Sequence, residues 1–399
     1  MKRLLNIYEA SLLYLNINTF LRAEIKGVIH PDLLKVVLKK LQQRHPQLRV
    51  KVHYDGNSRP WFVTDDTLEI PFRIVPTTPG ITWESVAMAE FNTPFREQGE
   101  VFLRVVILQR GDAFDLLMVS DHCTSDGMSL VYLLRDFLDF LGNPVKPVVI
   151  FPETPTPTLR PPPLNTHPES DPAALRRSFS EGRYTQLVPW SVPKPFFEQF
   201  MARCKQEHVS VHSGLCTACL LALPDLSGHI ASAVNHRPFL KENVGESFGF
   251  YAGGVPTDLR IKTIQEFWLS AKKVSKRLKR ALHSMQSLPI SIPPVNTLTA
   301  QDLLRMSTSS PIEKNFTITN MGHLRIPVVY GSYQLVNVHL VASATKNSIG
   351  LGLAVSTLQH RPSFVFFFNR PAYTPSEIDS LVTKIKSIIE EAVHLPFAE

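Results

Sequence analysis

The sequence predicts an α/β protein of two lobes, each a mixed sheet flanked by helices. Three observations carry this expectation. Apolar runs of strand composition alternate with amphipathic helical stretches along most of the chain. A stretch suited to neither element, Pro144 to Pro172 with ten prolines, divides them. The chain has 399 residues, 44% hydrophobic and 19% charged, which is enough to bury two or three cores and is unlike a disordered polypeptide.

The elements follow in order. Pro31–Arg44 reads as a helix, with Leu34, Val37, Leu38 and Leu41 on one face and Lys39, Lys40 and Gln42 facing away. Pro46 prevents its continuation. Val101–Leu108 and Phe114–Ser120 read as a hairpin turning at Arg110-Gly111-Asp112, its second strand buried. Met128–Leu141 is a helix with Leu130, Leu133, Leu134, Phe137 and Leu141 together. The proline-rich stretch then reads as a stiff crossover. The expected units are an N-terminal lobe at 1–143, a linker at 144–172 and a C-terminal lobe at 173–399. In the second lobe Val211–Leu223 is apolar nearly all round and so buried, with Ser210 as its N-cap. A strand at His229–Val234 and a glycine-rich stretch at Gly245–Gly254 follow. Phe267–Met285 is a long helix with Trp268, Ala271, Val274, Leu278, Leu282 and Met285 inward. Strands are expected at Phe316–Thr319, Gln334–Val341, Ile349–Ser356 and Ser363–Phe368. The last helix opens with Thr374-Pro375-Ser376-Glu377: an N-cap, a first-turn proline and a capping-box glutamate.

Net charge is +7 and the pI is near 9.2. No arginine-rich arm or aromatic RNA-binding motif accompanies that charge, so an acidic partner or anionic cofactor fits it better than nucleic acid. Four cysteines are too few for a disulfide framework. No run of 18 apolar residues exists to span a membrane, and Asn6 and Glu9 interrupt the apolar start that a signal peptide needs. A cytoplasmic monomer is expected.

One segment stands out for chemistry: Asp121-His122-Cys123-Thr124-Ser125-Asp126-Gly127, between a buried strand and a helix. A histidine held at a strand end can face a cleft, and neutral imidazole accepts a proton near neutral pH. Asp126 could serve that chemistry or hold the loop through an ion pair, and Gly127 permits the backbone turn. A solvated strand-end loop is the plain alternative. Cys216-Thr217-Ala218-Cys219 has metal or redox spacing but lies inside a helix without a second cysteine pair, so it reads as packing. Cys123 follows His122 on an extended segment and should point the other way, also into packing. No metal site is expected. Lys272, Lys273, Lys276, Arg277, Lys279 and Arg280 crowd one helix, by default a solvated face.

The histidine segment and its strand, Phe114 to Ser120, resemble the histidine motif of the thioester-dependent acyltransferase superfamily. That superfamily includes chloramphenicol acetyltransferase, the condensation domains of peptide synthetases and the polyketide-associated acyltransferases. Four further stretches are similar to the family in the same order. They are Gly27 to Asp32 leading to Arg44-His45-Pro46-Gln47-Leu48-Arg49, then Asn235-His236-Arg237-Pro238, Gly249 to Val255, and Thr319-Asn320-Met321-Gly322. Two departures are visible: Asp121 stands where many relatives have a first histidine, and the late Asp-Phe-Gly-Trp-Gly motif of plant members is missing.

The resemblance implies two chloramphenicol-acetyltransferase-like lobes with an active-site tunnel between them. It implies His122 as general base, with direct transfer and no covalent enzyme intermediate. Asp126 would pair with Arg237, and Asn320 and the Gly322 backbone are candidate oxyanion or substrate contacts. No cofactor would be bound permanently; the donor would be acyl-coenzyme A or a phosphopantetheinyl carrier protein. Lys272, Lys276, Lys279 and Arg280 would then dock an acidic carrier protein or a coenzyme A phosphate. A small-molecule or lipid hydroxyl is the expected acceptor, in lipid or secondary-metabolite biosynthesis, and the chain is expected to be free-standing. The rivals are an amide-forming or cyclising condensation enzyme and a catalytically silent binding relative.

Overall fold

A computed structural model describes residues 2–56, 59–76, 78–95, 100–152, 184–223, 229–287, 316–342, 350–370 and 372–397. Most of the proline-rich linker, from 153 on, lies outside the described residues.

The hairpin read from the sequence is β6 (Leu103–Arg110) and β7 (Ala113–Asp121), paired antiparallel. β7 is buried at every position but its first, because it lies inside a six-stranded sheet covered on both faces. β2 (Asn18–Lys26) flanks β7 on the other side, and β5 (Phe72–Pro76) runs parallel to β6 at one edge. On one face lie α2 (Pro31–Arg44) and α4 (Gly127–Gly142), which bury Leu34, Val37, Leu38, Leu41 and Leu130 against Leu21, Ala23, Leu116 and Met118 of the strands. The other face packs α1 (Ile7–Leu15) and α3 (Trp83–Phe91) against Phe20, Leu117 and Val119. A small sheet of β1 (Lys2–Leu4), β4 (Pro60–Thr64) and β3 (Val50–Tyr54) sits beside it.

The second six-stranded sheet has the order β10-β9-β11-β14-β15-β8. These strands are β8 (Tyr184–Trp190), β9 (His229–Asn235), β10 (Ala252–Asp258), β11 (Phe316–His323), β14 (Leu351–Leu358) and β15 (Arg361–Arg370). Its helices are α5 (Lys194–Gln206), α6 (Val211–Ala222), α7 (Phe267–Ser287) and α8 (Pro375–His394). α6 is buried along almost its whole length, as its all-round apolar composition requires. α8 starts with the expected capping box, Thr374 with Glu377.

Three expectations need correction. Gln42, read as facing away on α2, is buried, because its side chain donates to the Leu48 and Leu68 carbonyls beneath the helix. The segment Val329–Ala342 does not stay with the second lobe. Its strands β12 (Val329–Tyr330) and β13 (Tyr333–Ala342) join the first sheet, where β13 pairs antiparallel with β2 from Gln334↔Lys26 to Ala342↔Thr19. The reason is burial: β2 without this partner would be an unpaired edge inside a covered sheet. In α7, Trp268, Ala271 and Val274 are buried, but Leu282 and Met285 are only half-buried, because the helix runs on past the core beneath it. The two lobes also share one apolar cluster, in which Val119 and Cys123 meet Leu187, Ala354, Val365 and Phe367.

Candidate active site

β7 ends at Asp121 and hands the chain to a tight loop that Asp126 closes as the N-cap of α4. Asp121 braces the turn, its carboxylate accepting from the Cys123 N–H at 2.9 Å. The His122 N–H donates to the Ile17 carbonyl at 2.7 Å, which anchors the backbone. The imidazole is half-buried and its Nδ1 lies 2.6 Å from the Ser125 carbonyl oxygen. A carbonyl only accepts, so Nδ1 carries the proton and Nε2 is left with a free lone pair. Burial pulls the His122 pKa below the ordinary histidine value, against the Ser125 carbonyl and the Asp126 and Asp121 carboxylates, which raise it. The side chain is therefore neutral, with its basic nitrogen defined.

Asp126 and Arg237 meet. Arg237 Nη1 donates to both carboxylate oxygens, at 2.8 and 3.1 Å, and both side chains are buried. The carboxylate also accepts from the Ser129 N–H at 2.7 Å and the Tyr251 N–H at 2.8 Å. Arg237 Nη2 donates to Ser129 Oγ at 2.7 Å, and its guanidinium lies 4.6 Å from the Tyr251 ring centre. None of these bonds reaches the imidazole. The pair ties the His122 loop to the segment leading into β10.

Gly127 does not make the turn assigned to it, since it is already helical and the extended Asp126 backbone makes the turn instead. A Cβ on Gly127 would lie 3.1 Å from the Met321 sulfur, so the glycine matters as a point of close approach. Met321 belongs to a β-bulge in β11, between Asn320 and His323. There Gly322 has φ +62° and gives its N–H to Asn320 Oδ1 at 2.8 Å. That N–H is therefore already committed, and the Asn320 amide nitrogen is the better oxyanion candidate of the two.

Lys272, Lys276, Lys279 and Arg280 line one groove of about 500 Å³ with Ser275, His283 and the two residues that follow α5, Glu207 and His208. Lys272 pairs with Glu207 at 3.3 Å. Lys276, Lys279 and Arg280 are exposed and, among the described residues, pair with no carboxylate. Cys216 and Cys219 are buried thiols, that of Cys216 pushed up to about 12 by burial. No group of three or more histidine, cysteine or acidic side chains among the described residues is arranged to hold a metal ion. No helix there is long and apolar enough to cross a membrane.

The Arg44-His45 stretch is structural. Asp136 of α4 accepts from Arg44 Nε at 2.6 Å and pairs with His45 Nε2 at 3.0 Å, so the motif bolts α2 to α4. Sequence reasoning did not single out Ser129, and it placed Phe250 in the family-like Gly249–Val255 stretch without giving it a role. The Phe250 ring stands edge to face with His122, centroids 5.1 Å apart. Ser129 falls three residues after Asp126, the spacing at which an N-cap carboxylate takes a backbone N–H; that was the available signal for it.

Residues 16–144 match the Condensation domain family. Among curated proteins, one of the plipastatin synthase polypeptides of Bacillus subtilis is 31% identical over 121 residues, 30% of this chain and 5% of that protein. The chain thus spans a small fraction of the length of the curated relatives it matches. Among solved structures, the first condensation domain of the CDA synthetase aligns over 100% of this chain and 97% of its own, with a TM-score of 0.73 and 14% identity. The trichothecene 15-O-acetyltransferase TRI3 of Fusarium sporotrichioides aligns over 99% and 95%, at 0.70 and 14% identity. Polyketide synthase associated protein 5 of Mycobacterium tuberculosis aligns over 98% and 100%, at 0.64 and 13% identity. The chain has the two-lobed, chloramphenicol-acetyltransferase-like fold of the condensation-domain and acyltransferase superfamily. The resemblance read from its motifs stands.

Proposed function

We propose that this chain is an acyltransferase that moves an acyl group from a thioester to a hydroxyl acceptor, with His122 as the base. The observation that carries the reading is the Nδ1 contact with the Ser125 carbonyl, which presents Nε2 as the proton acceptor of a neutral, half-buried imidazole. Nε2 takes the hydroxyl proton as the oxygen attacks the thioester carbonyl, forming a tetrahedral oxyanion. The intermediate then collapses, the carbon–sulfur bond breaks, and the leaving thiolate receives the proton from the imidazolium. Atoms balance without a covalent enzyme intermediate or a resident cofactor. Base assistance of this kind contributes about 10²–10⁴-fold. The Asn320 amide is the candidate stabiliser of the oxyanion. Asp126 and Arg237 hold the loop rather than touch substrate, and Gly127 supports the site only by letting Met321 approach closely. The donor is acyl-coenzyme A or an acylated phosphopantetheinyl carrier protein, and Lys272, Lys276, Lys279 and Arg280 form a cationic dock for its anionic groups.

A second reading, amide formation on carrier-bound substrates, is favoured by the match of residues 16–144 to condensation domains. One experiment separates the two. Purified protein is incubated with acyl-coenzyme A or an acylated carrier protein and a mixed pool of alcohols and amines. Free thiol is then followed by colour and products by mass spectrometry. Ester products and His122-dependent thiol release support the proposal; amide products favour the second reading; no thiol release from any donor leaves a binding module.

A further inference from the structure

We propose that Phe250 is a positioning and specificity residue: its ring walls in the His122 imidazole and requires an apolar group on the substrate that lies against it. The proposal rests on His122 being the base. The geometry comes from three side chains on either side of the lobe junction. The Gly249 N–H donates to Ser129 Oγ at 3.0 Å, and Ser129 Oγ donates back to the Gly249 carbonyl at 2.6 Å. One residue beyond Phe250, the Tyr251 N–H is held by Asp126 at 2.8 Å. Phe250 is thus pinned on both sides by the first turn of α4. Arg237 completes the clamp on Ser129, whose hydroxyl now donates once and accepts twice, its full capacity. The Tyr251 ring folds back over Gly249, where a Cβ would lie 2.6 Å from it, and against Arg237. That leaves Phe250 as the ring directed at His122, at 5.1 Å and 84° between planes. Beyond it stands Tyr8 of α1, with ring centroids 6.5 Å apart and 45% exposed. Two aromatic rings therefore lie side by side from the base outward.

This arrangement gives the Asp126–Arg237–Ser129 network a chemical purpose that its own bonds, none of which touches the imidazole, do not reveal. It keeps a ring where bulk water would otherwise hydrate the base. Among the described residues, the charged or titratable groups around the imidazole include Asp121, Cys123 and Asp126 in its own loop, Arg237, His236 and Tyr251 beside Asp126, and Tyr8 beyond Phe250. The carboxylates favour the imidazolium, so the apolar wall is what opposes them.

The test uses the full chain with ring-labelled histidine. The His122 resonance is assigned by its loss in His122→Ala, and its titration is followed by NMR, a readout that needs no turnover. In wild type the midpoint should lie below the ordinary histidine value of about 6.5. Phe250→Ala should move it up by roughly half a pH unit or more, and Phe250→Leu should stay near wild type. Tyr8→Ala, at an exposed position where folding is secure, should give a smaller shift in the same direction. Once transfer is detected, the KM for 1-octanol should rise roughly tenfold in Phe250→Ala, with little change for glycerol. An unmoved His122 midpoint in both alanine variants overturns the shielding role. Equal losses for both alcohols overturn the apolar requirement. Absence of transfer in wild type, with the midpoint shifts present, faults the acyltransferase reading and not the wall.

Discussion

A histidine that works as a base must be neutral at the working pH and must offer the right nitrogen. His122 meets both conditions through burial and through the Ser125 carbonyl. His122→Ala should therefore cut turnover by about 10²-fold or more without unfolding the protein, because the side chain is half-buried at a loop. Near-normal turnover in a folded variant, checked by circular dichroism, would remove it from the mechanism. The pH profile follows from the sign of its shift. Activity needs the deprotonated form, so the acid limb of kcat/KM should set in at a lower pH than an ordinary histidine would give, as Nε2 binds a proton. The Asp126–Arg237 pair makes a second expectation. Asp126→Asn and Arg237→Ala should each destabilise the protein, since removing one partner strands the other in a buried site. The double variant should cost less than the sum, with a coupling of about 0.5–3 kcal/mol in a denaturation cycle. Strict additivity would deny the contact. His122 and Asp126 stood out in the sequence as a strand-end pair, but their roles and the choice of Arg237 as partner came from the resemblance to the acyltransferase superfamily rather than from the local pattern. Phe250 did not stand out, because a phenylalanine in a glycine-rich stretch looks the same whether it faces core or imidazole.

Helix α7 divides into two parts. Its first half packs into the second core, while its second half carries Lys276, Lys279 and Arg280 past that core along the groove with α5. Like charges at i,i+3 and i,i+4 spacing repel by a few tenths of a kcal/mol per pair, and an anionic donor would offset that. Lys276→Glu with Lys279→Glu should raise the KM for the thioester donor and leave the rate at saturation unchanged. Wild-type donor affinity should fall with added salt, since exposed charges are screened over about 8–10 Å. Indifference to both would make the helix a plain solvated face. The helices that were read came out almost to the residue, α2 at Pro31–Arg44 and α6 from its Ser210 cap, because cap and period are local signals, whereas α1, α3 and α5 were not read from the sequence at all. The Asn320–His323 bulge was not legible, since it depends on where β14 runs beside it.

Across the whole molecule, buried histidines set the response to acid. Burial pushes His212 down to about 4 and His339 to about 3, the latter also disfavoured by the Arg22 guanidinium, and lowers His45. A depressed folded-state value means the stability they contribute is complete above the unfolded value near 6.5 and is lost as pH falls towards 3. Asp115 acts in the opposite sense, its carboxyl raised by burial, but among the described residues it is one group against five lowered histidines, since His122 and His236 share their sign. The urea midpoint should drop steadily between pH 6.5 and 4; a flat profile would show that these imidazoles are already hydrated. The two-lobed fold was legible from the alternation of elements about the proline-rich stretch. The passage of β13 into the first sheet was not, for strand pairing across the chain leaves no trace in local periodicity.

That passage shapes how the protein is made. Arg22 and His339 touch across β2 and β13 although 317 residues separate them. A ribosome that has finished the first sheet's other long strands has exposed β2 with one row of amides and carbonyls open. The row stays open until the chain has grown past Ala342. During that interval the nascent sheet can recruit any strand of another molecule. A chain stopped at residue 328 should accordingly accumulate in the insoluble fraction, even though it contains the entire histidine loop.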